Sequence, residues 1–156
     1  MPVDRVRLAN ALMAIVAEPP AATELPDQLC RICVDVLPVD GVGVSLMTSG
    51  EPGGRVLLGA SDAAGMQIEE LQFDLGEGPC LSAFNTTSPV LVPDVQADEA
   101  GARWPMFSRA VAGLGLGAVF AFPLQVGAVS IGALDCHRIR AGPLAVASHE
   151  VDNATA

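Results

Sequence analysis

The sequence predicts an α+β domain in which helices pack on an antiparallel sheet, and three observations lead there. Its segments read in the order αα, ββ, αα, β, α, ββ rather than as alternating strand and helix. Two pairs of strands are joined by turns too short for a parallel crossover, which needs about a dozen residues. The chain has 156 residues, 51% hydrophobic and only 17% charged, which suits one core in one domain and excludes a disordered chain.

The first helix is predicted over residues 3–17, where Leu8, Leu12 and Ile15 recur on one face before Pro19 and Pro20 stop it. A second follows from Thr23, a candidate N-cap, to Leu37. Leu25, Leu29, Ile32, Cys33, Val36 and Leu37 make its apolar stripe, Pro26 is tolerable in its first turn, and Pro38 ends it. Asp40-Gly41 turns the chain into a strand over residues 42–48, where Val42, Val44, Leu46 and Thr48 alternate with Gly43, Ser45 and Met47. The Gly/Pro-rich loop 49–54 leads to a return strand over 55–61. Asp62 caps a helix over 63–73 that is expected to bury Met66, Leu71 and Phe73. Beyond the loop 74–79, Pro79 suits the first position of a short helix carrying Cys80 to Asn85. Residues 88–92 read as a strand. One helix is expected over 98–113, repeating Trp104, Phe107, Ala110 and Val111 at helical spacing. Residues 116–126 and 128–136 form a hairpin about Gly127, and the tail 144–156 is weakly patterned.

Charge and cysteine usage narrow the function classes. With 18 acidic against 8 basic groups the net charge is −10. The basic groups are all Arg and scattered, so a nucleic acid or an anionic lipid would be repelled. Arg5 and Arg7 followed by the apolar stretch 8–17 have the order of a signal peptide, but Asn10 interrupts it and the helical stripe explains it better. Residues 110–134 are long enough to span a bilayer, yet Gly113, Gly115, Gly117, Pro123, Gly127 and Gly132 divide them into strands. A soluble, cytoplasmic chain with no membrane association is therefore expected. Cys30-Arg31-Ile32-Cys33 has the C-x-x-C form but lies inside a helical pattern. Cys80, Cys136 and His137 supply no matching zinc spacing, so the cysteines are expected as reduced packing residues with no metal site.

Leu71-Gln-Phe-Asp-Leu-Gly-Glu-Gly-Pro-Cys80 is followed by Pro89-Val-Leu-Val-Pro-Asp94, Arg103-Trp104-Pro105, Ala118-Val-Phe-Ala-Phe-Pro-Leu124 and Gly132-Ala-Leu-Asp135. With these motifs in this order, residues 3–143 resemble a GAF domain, and more narrowly the sensory module of actinobacterial GAF–ANTAR antitermination regulators. The resemblance implies a GAF domain over 1–143 with a tail at 144–156. It implies a PAS-related antiparallel sheet of five or six strands with helices on both sides, a small-molecule ligand cavity and a homodimer. No ANTAR module follows, so any RNA contact is expected to belong to a separate C-terminal module and not to this domain.

Cys80 is the sharpest candidate for reactivity. At a helix start, unpaired N–H groups favour a thiolate, whereas the plainer reading is a small buried residue beneath the Gly76–Gly78 loop with no base nearby. The loop is also similar to that of free methionine-(R)-sulfoxide reductases, which implies a further cysteine before the fourth strand. Residues 113–117 contain none, and Cys136 comes a strand too late. The reading is thus a non-enzymatic sensor of a small ligand or of redox state. The alternatives are a Cys80-dependent reductase and a dimerisation scaffold with a closed pocket.

Phe120 and Phe122 share one side of a strand, and Trp104 and Phe107 lie on a helix expected to cross that side. With Phe73, Gly76, Gly78 and Cys80 they are the predicted ligand site, unless they simply fill the core. No cofactor is required. His137 at a strand exit, like His149, is expected to be solvated rather than to hold haem, and Asp135 is expected to tie its strand end to a loop. The stripe Leu8, Leu12, Ile15 and Val16 is the predicted dimer seam within residues 3–37, which Leu12→Asp should weaken.

Overall fold

The computed structural model describes residues 5–18, 21, 24–48 and 54–144, apart from the side chain of Leu12. The N-cap expected of Thr23, the body of the loop 49–53, the tail beyond Leu144 and His149 lie outside the described residues. Within them the chain forms α1 (Arg5–Ala17), α2 (Leu25–Val36), β1 (Gly41–Met47), β2 (Arg55–Ala60), α3 (Ala63–Leu75), α4 (Pro79–Thr86), β3 (Val90–Val92), α5 (Asp98–Arg103), α6 (Pro105–Gly113), β4 (Ala118–Val126) and β5 (Val129–Arg138). The strands make one five-stranded sheet in the order β2-β1-β5-β4-β3, antiparallel throughout. Gly127, at φ 61°, closes the β4–β5 hairpin in a backbone region that glycine enters without a Cβ penalty.

The two faces of the sheet carry different helices. Val42, Val44, Phe120 and Cys136 pack with Cys30, Cys33, Val34 and Leu37 on the α2 side. The other side carries α3 to α6, where Ile68, Ala83, Phe107 and Val111 cover Val90, Val92, Val119 and Ala121. Helices on both sides bury β1 on both faces along most of its length, so its alternating pattern does not translate into one wet face. Each fully buried Ile, Val or Phe contributes about 1.5–3 kcal/mol, so both layers help hold the sheet. Leu144 packs against the α2-side cluster, so the last described residue of the predicted tail belongs to the fold.

Three local expectations are corrected. On α3, Asp62 caps as expected, its Oδ1 accepting from Gly65 N–H at 2.7 Å. The buried face is however Gly65, Ile68, Glu69 and Gln72, at spacing i, i+3, i+4, i+7, while Met66 and Phe73 point outward. The helix predicted over 98–113 is two helices, because a residue preceding proline is driven out of the α region. Trp104 sits at φ −136°, ψ 73°, and Pro105 opens α6. His137 is buried rather than solvated, its Nε2 3.5 Å from Asp62 Oδ2.

Helix α1 packs on α2, with Arg7 Nη1 donating to the Asp35 carbonyl at 2.9 Å. Leu8 and Ile15 are half-buried. Val16, at the edge of that stripe, is exposed together with Val6 and Met13.

Candidate functional site

The face of the sheet that carries α3 to α6 holds a cluster of polar side chains within its apolar layer. Strand β5 presents Asp135 between two small neighbours, Gly43 on β1 and Ala121 on β4. That gap admits α3: a Cβ at Gly43 would stand 3.0 Å from Glu69 Cγ. Ser45 Oγ donates to Glu69 Oε2 at 2.7 Å. Gln72 Nε2 donates to Asp135 Oδ2 at 2.7 Å, and Gln72 Oε1 accepts from the Cys80 N–H at 2.7 Å. One side chain therefore caps α4 and ties α3 to β5, satisfying an N–H that a helix start leaves without an intrahelical partner.

The Cys80 thiol lies 3.8 Å from Glu69 Oε2, and donor atoms of Glu69, Cys80 and Asp135 all fall within 4.8 Å of one another. All three residues are at most 2% exposed. Apart from each other's carboxyl groups and the Cys80 thiol, Glu69 Oε1 and Asp135 Oδ1 have no hydrogen-bond partner among the described residues. Burial, then the neighbouring Glu69 charge, holds the Asp135 carboxyl well above the usual carboxylate range. Burial, followed by the charges of Asp135 and Glu69, likewise pushes the Cys80 thiol up, and the Arg55 charge opposes this only in part. The helix start does not create a thiolate here.

The Gly76–Gly78 loop is fixed above this cluster. Gly76 is left-handed at φ 68°, its N–H returning to the Gln72 carbonyl at 2.9 Å. Gly78 sits at φ 145°, and a Cβ there would collide with the Gln72 side chain. Glu77 Oε2 accepts from the Phe107 N–H at 3.4 Å, and Trp104 Nε1 donates to Ser82 Oγ on α4 at 3.2 Å. Beside the cluster, burial lowers the His137 pKa against the opposing pull of Asp62 and Asp40.

Of the predicted ligand site, Gly76, Gly78 and Cys80 come together, and Trp104 and Phe107 lie in the core on the same side of the sheet. The other three do not join them. Phe120 and Phe122 face α2 across the sheet, because β4 pairs Phe120 with Cys136 and Phe122 with Leu134, both on that side. Phe73 is 45% exposed, with the Arg55 guanidinium stacked 4.2 Å from its ring centre. Trp104 also borders a shallow groove of about 100 Å³ with Leu91, Pro93, Asp94 and Arg103. That volume is below the roughly 300–1,000 Å³ of small-molecule sites. Asp135 does not merely tie a strand end to a loop but sits in the centre of the cluster. Glu69 and Gln72 went unseen in the sequence, where hydrophobicity alone assigned the buried face of α3.

The remaining thiols are elsewhere. Cys30, Cys33 and Cys136 lie in the α2-side layer, and none of the four cysteines is in a disulfide. Burial pushes Cys30 up to about 12 and raises Cys33 and Cys136 as well. No helix among the described residues is long and apolar enough to cross a membrane.

A family model of the GAF domain matches residues 23–155. The chain belongs to the GAF family. Solved structures of similar fold include the GAF domain of a phosphoenolpyruvate-protein phosphotransferase from Coxiella burnetii, at 17% identity over 90% of this chain and 82% of that one, TM-score 0.65. The nlh2 GAF domain of A. aeolicus in an inactive state is similar at 15% identity, covering 96% and 85%, TM-score 0.59. A free methionine-R-sulfoxide reductase from Neisseria meningitidis in complex with its substrate is similar at 16% identity, covering 88% and 74%, TM-score 0.59. At such identities the likeness is one of fold. No curated protein matches the sequence. The GAF domain is a sensory and regulatory fold, here with its polar cluster between the sheet and α3–α4.

Proposed function

We propose that this GAF domain is a non-enzymatic sensory module that receives a small ligand or ion at the Glu69–Cys80–Asp135 cluster and transmits the change through its helices. The observation that carries this reading is the partition of the thiols. Cys80 stands alone on its side of the sheet, protonated by its surroundings, while Cys30, Cys33 and Cys136 pack on the other side. A reductase needs an attacking thiolate and a second thiol able to reach it. A sensor needs only a site whose occupancy alters the contacts of α3 and α4.

Helix α1 supports the output side of the proposal. Val6, Met13 and Val16 expose 71%, 67% and 73% of their surface. Together with the half-buried Leu8 and Ile15 they suit a homodimer seam. Light scattering at micromolar concentration should give a dimer that Met13→Asp shifts toward monomer, and a monomeric wild type would contradict the seam. The free cysteines fit a reducing cytoplasm. An antitermination role would place RNA contacts on a separate module, since a net charge of −10 disfavours them here.

The reductase alternative is tested by turnover of free methionine-(R)-sulfoxide with thioredoxin as reductant. No Cys80-dependent turnover is expected. Turnover abolished by Cys80→Ser would replace the sensory reading.

A further inference from the structure

We propose that Glu69, Cys80 and Asp135 form a binding site for a divalent transition-metal ion of the zinc class. The inference deepens the sensory reading by naming what the cluster holds. Three chemically competent donors from three separate elements, α3, α4 and β5, converge with their ligating atoms within 4.8 Å of one another. An ion about 2.0–2.3 Å from each donor would set a thiolate sulfur and a carboxylate oxygen about 3.5 Å apart at a tetrahedral angle. Cys80 Sγ stands 3.8 Å from Glu69 Oε2, the oxygen that also accepts from Ser45, on the same carboxyl as the free Oε1.

The hydrogen bonds around the cluster are arranged as they are around metal ligands. Each carboxyl has one oxygen held by a fixed neutral donor, Ser45 Oγ on Glu69 and Gln72 Nε2 on Asp135. Each leaves its second oxygen, Glu69 Oε1 and Asp135 Oδ1, buried without a donor from outside the cluster among the described residues. Neutral groups that orient ligating carboxylates while leaving one oxygen free are the usual outer partners of a metal site. Arg55 does not fill this role, because its guanidinium donates to the Glu69 main-chain carbonyl rather than to the carboxylate. The thiol among the donors selects against magnesium and calcium, which prefer all-oxygen sites, and favours zinc, cobalt or their neighbours.

The probe is cobalt(II), added to the full chain after chelator treatment. Binding of about one equivalent per chain is expected, the metal displacing the Cys80 thiol proton to solvent, with a near-ultraviolet thiolate-to-cobalt charge-transfer band. The band should vanish in Cys80→Ser and persist in Cys30→Ser/Cys33→Ser, whose thiols lie on the other side of the sheet. Ser45→Ala should retain the band and weaken affinity about 10–100-fold, as loss of a ligand-orienting partner does. The wild-type titration carries the test whether or not a variant folds. Absence of cobalt binding would overturn the site. A band unaffected at Cys80 but lost in the Cys30/Cys33 double variant would do so as well. An organic adduct in native mass spectra without a cobalt band would overturn the metal site while leaving the sensory reading standing.

Discussion

Replacing Gln72 by Met tests whether the cluster is held as described. Met keeps nearly the same volume, so the substitution opens little cavity and acts through hydrogen bonding. It strands two buried groups, Asp135 Oδ2 and the Cys80 N–H, each now bonded to Gln72 at 2.7 Å. Leaving a buried polar group without its partner costs about 1–3 kcal/mol, so the pair predicts a loss of about 2–6 kcal/mol. Against a total stability of about 5–15 kcal/mol this is a large fraction. In urea unfolding with a slope near 2 kcal/mol per molar, a loss in the middle of that range lowers the midpoint by about 2 M. Gln67→Met, exposed on the same helix, should stay within about 0.5 kcal/mol of wild type. A loss below about 1 kcal/mol for Gln72→Met would refute the claim that this side chain joins α3, α4 and β5.

Three further outcomes are expected. Phe107→Ala, at a side chain 1% exposed, should cost about 3–5 kcal/mol in the same assay, whereas the exposed neighbour Met106→Ala should be nearly silent. Burial lowers the His137 pKa, so the native state binds fewer protons there than the unfolded chain. The stability this residue contributes is present above its ordinary value of 6.5 and is lost as pH falls through the lowered value. His137→Gln should therefore flatten the decline in stability from pH 7 toward acid, and an unchanged pH slope would contradict a buried neutral imidazole. In native protein a thiol reagent should label half-buried Cys33 before Cys80, which mass mapping would read, and equal rates would contradict a sealed, protonated Cys80.

Much of the fold was legible because local signals and tertiary packing agree. The hairpin about Gly127, the Asp62 cap and Pro79 at the start of α4 each encode a backbone requirement that the fold meets. The site was less legible, because its residues break the rule that carries most of the reading. Met66 and Phe73 attract a burial assignment through hydrophobicity alone, yet α3 turns Glu69 and Gln72 inward. Partners from distant positions, Ser45 and Asp135, compensate their desolvation, and no local pattern states such long-range pairing. Phe120 and Phe122 were correctly placed on one face of β4. Which face it was depended on the pairing of Phe120 with Cys136 and on α2 covering that side. Pro105 carried the break before α6 openly, and helical spacing across it obscured the signal.

On the reading proposed above, the Glu69–Cys80–Asp135 cluster is a receiving site. Native mass spectrometry of freshly purified chain, before and after denaturation, tests it most directly when wild type is compared with Glu69→Gln/Asp135→Asn. Wild type should carry a non-covalent metal or small-molecule mass that disappears on denaturation and is missing from the double variant. A bare wild-type chain, or an adduct that the double substitution leaves in place, would contradict it.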